Sequence, residues 1–193
     1  MSKLFLEENY ELKKEIDMKK SKKLSIGLTI ASLIIMIVAL ILCFIIRNIF
    51  NQKLDLILDI LQLFVLLVSM IFYIIFHELT HALVMKFVLP KEKLNFGLTL
   101  TVAYVGMKKA YFSKKHYILI SLAPVVVWGI IFTILLIITK DSTWFIVVAL
   151  LQALNLSGAV GDYYCTYLTI KSTKDVLVND DGASMRFYEI KKD

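Results

Sequence analysis

Five residues near the end of a long apolar run, His77-Glu78-Leu79-Thr80-His81, combine types that bind and use a metal ion. On a helix, positions 77 and 81 are one turn apart on the same face, so two imidazoles can grip one divalent ion. Glu78 is displaced around the helix and need not ligate. It is free to take a proton from a water that the metal activates, which is the division of labour in metal-dependent peptide hydrolysis. The chain holds three His, the third being His116, and Glu78 is the one Glu placed inside an apolar run. Ionisable side chains in a membrane-length segment are expensive, which favours a functional reading over helix pairing.

A catalytic zinc takes three protein ligands and keeps a fourth position for water, so a third ligand is expected. His116 sits at the polar edge of its segment. Asp55 and Asp59 lie at the far end of the HExxH segment, with Asp59 about 27 Å along the helix from His77. The remaining candidate is Asp162. His77 precedes Lys86, and Asp162 precedes Lys171, by the same nine residues. If both segments run in the same direction, the two groups lie at similar depth, about 13 Å from their basic ends. The stretch Asn155-Leu156-Ser157-Gly158-Ala159-Val160-Gly161-Asp162 is rich in small residues, which lets another helix approach closely. Asn155 lies two turns before Asp162 and shares its face.

These groups must be positioned by membrane elements. Of 193 residues, 59% are hydrophobic, only two are Pro, and the mean hydropathy is +0.75. That is the profile of an integral membrane protein. We expect an all-α membrane protein with four transmembrane helices, at about 24–46, 54–89, 117–139 and 143–170, joined into one domain over 24–170. The polar tail 1–23 contains a charged run, Glu7 to Lys23, that reads as a solvated or membrane-surface helix. In the loop 90–116, Pro90 ends the second helix, and residues 95–107 are rich in β-branched and aromatic residues. They predict a short strand or hairpin region between helices 2 and 3. The tail 171–193 is assigned no structure. Cys43 and Cys165 lie in apolar segments without metal-type spacing or a disulfide framework.

Charge sets the expected orientation. Nineteen of the 22 Lys and Arg fall in the 1–23, 86–115 and 171–193 segments, and Arg47, Lys53 and Lys140 fall in the other two connections. The bias predicts both termini on the cytoplasmic side of a cell membrane. The net charge of +6 is therefore read as a topology signal and not as a nucleic-acid surface.

The arrangement of His77-Glu78-x-x-His81 on one helix, with Asn155 and Asp162 on a later one, resembles the intramembrane site-2 metalloproteases. It departs from them in a shorter Asn-to-Asp spacing, in Gly158 standing where that family has Pro, and in a reversed Gly161-Asp162 pair. The chain is more similar to a small bacterial family of membrane proteins described as putative zincin peptidases. Those proteins pair an HExxH helix with an Asn…Ser-Gly…Gly-Asp helix and end in a tail like Asp180-Asp181-Gly182-Ala183-Ser184-Met185-Arg186-Phe187-Tyr188. The resemblance implies Zn²⁺ held by His77, His81 and Asp162, with Glu78 as the catalytic base. Asn155 is expected at the oxyanion or the substrate backbone. The expected substrate is a peptide or membrane protein in the lipid bilayer, cut by hydrolysis. The alternative is a non-catalytic membrane adaptor with a structural or vestigial metal site. A metal transporter is disfavoured, since one ligand cluster does not make a path.

Overall fold

The computed structural model describes residues 2–17, 21–49, 58–98, 103–182 and 184–191. The elements run β1 (Tyr10–Asp17), α1 (Lys22–Ile49), α2 (Ile60–Val88), β2 (Asn95–Leu98), β3 (Ala103–Gly106), β4 (Phe112–Ser113), α3 (Lys114–Ile138), α4 (Phe145–Gly158), α5 (Val160–Lys171), β5 (Leu177–Asp180) and β6 (Ser184–Ile190). Among the described residues, four helical stretches are long and apolar enough to cross a membrane: Lys22–Asn48, Ile60–Val88, Lys114–Ile138 and Phe145–Lys171. The expected start of the second segment, Leu54 with Asp55, and the centre of the 95–107 stretch lie outside the described residues. Helix α2 begins where Asp59 and Gln62 cap each other. The Gln62 N–H donates to Asp59 Oδ1 at 2.8 Å and the Asp59 N–H to Gln62 Oε1 at 3.1 Å. This reciprocal pair satisfies two donors that a helix start leaves open.

The chain forms two compact units. One comprises Gly27–Ile75 and Val125–Gly161, and the other comprises Met1–Ile26, Phe76–Pro124 and Asp162–Asp193. In the first, Leu66, Tyr73, Phe132, Ile146 and Leu151 form a buried cluster. Inside it, Tyr73 Oη donates to Asn155 Oδ1 at 3.0 Å, and Asn155 Nδ2 donates to the Val125 carbonyl at 3.2 Å. The opposite faces are apolar as well. Ile30, Leu33, Ile34 and Ile37 on α1, and Val126, Ile130, Ile134 and Ile137 on α3, are all about half exposed or more.

The second unit carries the sheets, which correct the all-α expectation. Four antiparallel strands lie in the order β1-β6-β5-β4, and β2 pairs with β3 in a separate two-stranded sheet. The β2–β3 pair falls inside the stretch expected to form strands. The N-terminal tail was expected as a helix but forms β1. Its alternating charges would suit a helix face, but its partner in space decides. Tyr10 to Asp17 pair with Ile190 to Ser184, with a bulge at Lys13, and Ile16 is buried in the core. The strand is charged along an unpaired edge, which discourages further pairing. The last segment, expected as one helix, is interrupted at Ala159. The break follows Ser157-Gly158, a Ser/Gly pair of the kind at which helices kink. The core of this unit includes Met85, Met107, Phe112, Ile120, Val178 and Phe187.

Candidate metal centre

On α2, the 3.6-residue period turns His77 and His81 inward, 9% and 8% exposed, while Leu79 and Leu83 face outward. The imidazole rings stand 5.0 Å apart, nearly perpendicular. Asp162, in the first turn of α5, meets both. His77 Nε2 is 3.3 Å from Asp162 Oδ2 and His81 Nε2 is 3.4 Å from Oδ1. Two ligands each about 2.0–2.1 Å from a tetrahedral zinc are about 3.3–3.4 Å apart, so these separations match a shared ion. Glu78 also offers a carboxylate oxygen within 4.8 Å of the two imidazoles. It lies beside the main chain of Val105 on β3. The donor set of two imidazoles and two carboxylates suits zinc.

His81 is oriented from the rear. Its Nδ1 is 2.8 Å from the carbonyl oxygen of Ile120 on α3. A carbonyl only accepts, so Nδ1 carries the proton and the neutral ring presents a bare Nε2. A bare nitrogen facing a carboxylate oxygen needs a cation between them, either a proton or a metal.

A further carboxylate stands nearby. Asp180, at the end of β5, accepts from Tyr117 Oη at 2.7 Å and from the Gly182 N–H at 2.8 Å. It interacts electrostatically with both Glu78 and His81. Enclosure pushes the Asp180 carboxyl above the ordinary aspartate range, and the two hydrogen bonds oppose that shift. The turn that carries it is pressed against β3. A Cβ on Gly106 would stand 2.2 Å from the main chain at Asp181, and Gly182 has a φ of 87°. Only glycine fits either place.

The sequence reading found His77, Glu78, His81 and Asp162, and the structure brings these four together. It puts Asn155 in the other unit, fully buried, with its amide engaged by Tyr73, Val125 and Gln152. An oxyanion contact would have to displace one of those bonds. His116 pairs with Ser2 Oγ at 2.7 Å and is outside the ligand group. Thr80 donates to the Phe76 carbonyl of its own helix, and Tyr164 packs against the unit's core. Sequence reasoning missed Ile120, Tyr117, Val105 and Asp180. The Asp180-Asp181-Gly182 run signals a turn, but no residue pattern pairs that turn with α3.

A family model described as "putative zincin peptidase" matches residues 70–177, more than half of the chain. The chain belongs to that family. The matched span holds His77, Glu78, His81 and Asp162 and stops at the first residue of β5. Membership implies a metallopeptidase and, in general terms, zinc. Comparison with curated proteins and with solved structures finds no significant match.

Proposed function

We propose that this chain is a zinc-dependent endopeptidase of a membrane, acting on membrane or membrane-proximal peptides. The carrying observation is the convergence of two imidazole nitrogens on one carboxylate at 3.3 and 3.4 Å, beside a second carboxylate. His77, His81 and Asp162 would hold the ion. When bound, zinc supplies a Lewis acid that makes a water nucleophilic near neutral pH and polarises the scissile carbonyl. Glu78 takes the proton from the attacking water and delivers it to the leaving amine. Asp162 is the ligand and Glu78 the base because Asp162 reaches both imidazoles at ligand spacing, while Glu78 belongs to the same helix turn as His77.

Three features support the membrane reading. The outward faces of the helices are apolar, and in water such faces would aggregate. β1, β4, β5 and β6 come from the three basic segments that hold nineteen of the 22 Lys and Arg, so those segments meet in one sheet. Pairing of β1 with β6 joins the segments flanking the first and last apolar helices, which suits an even number of crossings. The charge bias then favours a cytoplasmic sheet. A substrate must present an extended backbone, because a helix hides its carbonyls. The β2–β3 hairpin beside Glu78 suits strand addition.

The test compares purified wild type with Glu78→Gln, by zinc content and by the cleaved membrane peptides that accumulate in cells expressing each. The expected result is equal zinc with product formation reduced by about 10²–10⁴-fold. Zinc in both with identical peptide profiles would favour the adaptor reading. No zinc in wild type would reject the metallopeptidase.

A further inference from the structure

One of the chain's two prolines, Pro124, lies inside α3, buried, where a helix ordinarily excludes it. A proline lacks the N–H that would bond to the carbonyl four residues earlier, and its ring pushes that carbonyl off the helix axis. The residue four before Pro124 is Ile120. Its carbonyl is the one 2.8 Å from His81 Nδ1. We propose that Pro124 is a positioning residue of the metal centre: by withholding an N–H from α3 it frees the Ile120 carbonyl to hold His81 with Nδ1 protonated and Nε2 bare.

The geometry supplies each step. The His81 Nε2 that this tautomer exposes is the atom 3.4 Å from Asp162 Oδ1. Both partners are enclosed, with Ile120 1% and His81 8% exposed, so water does not compete for the carbonyl. The Ile120 carbonyl is thus withdrawn from the helix ladder and assigned to the site. Partners behind ligating histidines typically change metal affinity by about 10–100-fold when removed. With Ala at 124 the restored N–H draws the carbonyl back along the axis, and His81 loses its fixed orientation.

The inference rests on the metal-site reading, and the experiment separates the two. Pro124→Ala is compared with wild type and with Leu122→Ala, a nearby α3 substitution that leaves every N–H in place. Two quantities are read: cobalt or zinc affinity with the cobalt absorption spectrum, and the His81 tautomer in metal-free protein. The tautomer is taken from ¹⁵N shifts of labelled histidine at alkaline pH, and with three histidines the spectrum is simple. Pro124→Ala is expected to raise the metal-free protein's melting temperature, since a helix-interior proline is removed. It should at the same time lower metal affinity about 10–100-fold, alter the cobalt spectrum and lose the Nδ1–H tautomer. A purely structural role moves stability and affinity together, so the opposed signs are diagnostic. Wild-type affinity and an unchanged His81 tautomer in Pro124→Ala would overturn the inference. So would a loss of affinity in Leu122→Ala as large as in Pro124→Ala. Failure of wild type to bind metal would reject the metal-site reading, whereas the tautomer comparison would still decide whether Pro124 orients His81.

Discussion

Two carboxylates stand within reach of the paired imidazoles, and exchanging each for its amide separates ligand from base. Asp162→Asn and Glu78→Gln are nearly isosteric, so neither opens a cavity. Complete protein ligation of structural zinc yields about 10–16 kcal/mol. Shared among three ligands, the Asp162 portion is about 3–5 kcal/mol, or roughly a 10²- to 10⁴-fold loss of affinity at about 1.4 kcal/mol per decade. Glu78→Gln removes no ligand and should stay within a few-fold of wild type. The assay is competition against a chelating dye in detergent, with thermal unfolding as a cross-check. Zinc at 100 times the wild-type Kd stabilises wild type by about 2.7 kcal/mol, and most of that increment should vanish in Asp162→Asn. The assignment is refuted if Glu78→Gln loses the metal while Asp162→Asn keeps it. It is equally refuted if both variants bind as wild type does, because the 3.3 and 3.4 Å approaches would then mark a plain hydrogen-bonded pair.

Three other outcomes follow from the same structure. The raised Asp180 carboxyl favours the folded protein while it is protonated. That contribution is present below the unfolded value of about 3.9 and is lost as pH rises through the higher folded value. Asp180→Asn should therefore gain on wild type in melting temperature as pH rises above about 4, and a constant difference would contradict the assignment. Gly106→Ala would put a methyl 2.2 Å from the Asp181 main chain, so the turn must shift. Denaturation should report a loss of roughly 1–3 kcal/mol. Asn155→Ala removes the buried acceptor of the Tyr73 hydroxyl and the amide's bond to the Val125 carbonyl, and should cost about 1–3 kcal/mol in stability, with zinc content unchanged. Loss of zinc at wild-type stability would reverse that reading.

The HExxH spacing and the matched depths of His77 and Asp162 are consequences of helical period and rise, so they were legible in order and position alone. The helices were legible for the same reason, since membrane-length apolar runs have few alternatives. The tails were not. Tyr10 to Asp17 carries the composition of a surface helix, and only Met185 to Ile190, far away in sequence, makes it a strand. Asn155 was expected to share a helix face with Asp162, but the helix breaks between them and its burial is spent on Tyr73 and Val125. Ile120 could not be found by residue type, because its contribution is a main-chain atom. The visible trace of it is Pro124, a residue out of place for its helix.

The pairing of β1 with β6 also imposes an order in time. Tyr10 meets Ile190, so β1 waits for a partner made about 180 residues later along the chain. At about 5–20 residues per second, that wait is roughly 10–40 s. Asp180, which accepts from Tyr117, arrives in the same late stretch. A chain truncated by a stalled ribosome or a late nonsense codon would carry His77, Glu78, His81 and Asp162 but no closed sheet around them. Ser184–Ile190 thus close the sheet only after His77, Glu78, His81 and Asp162 have all been made.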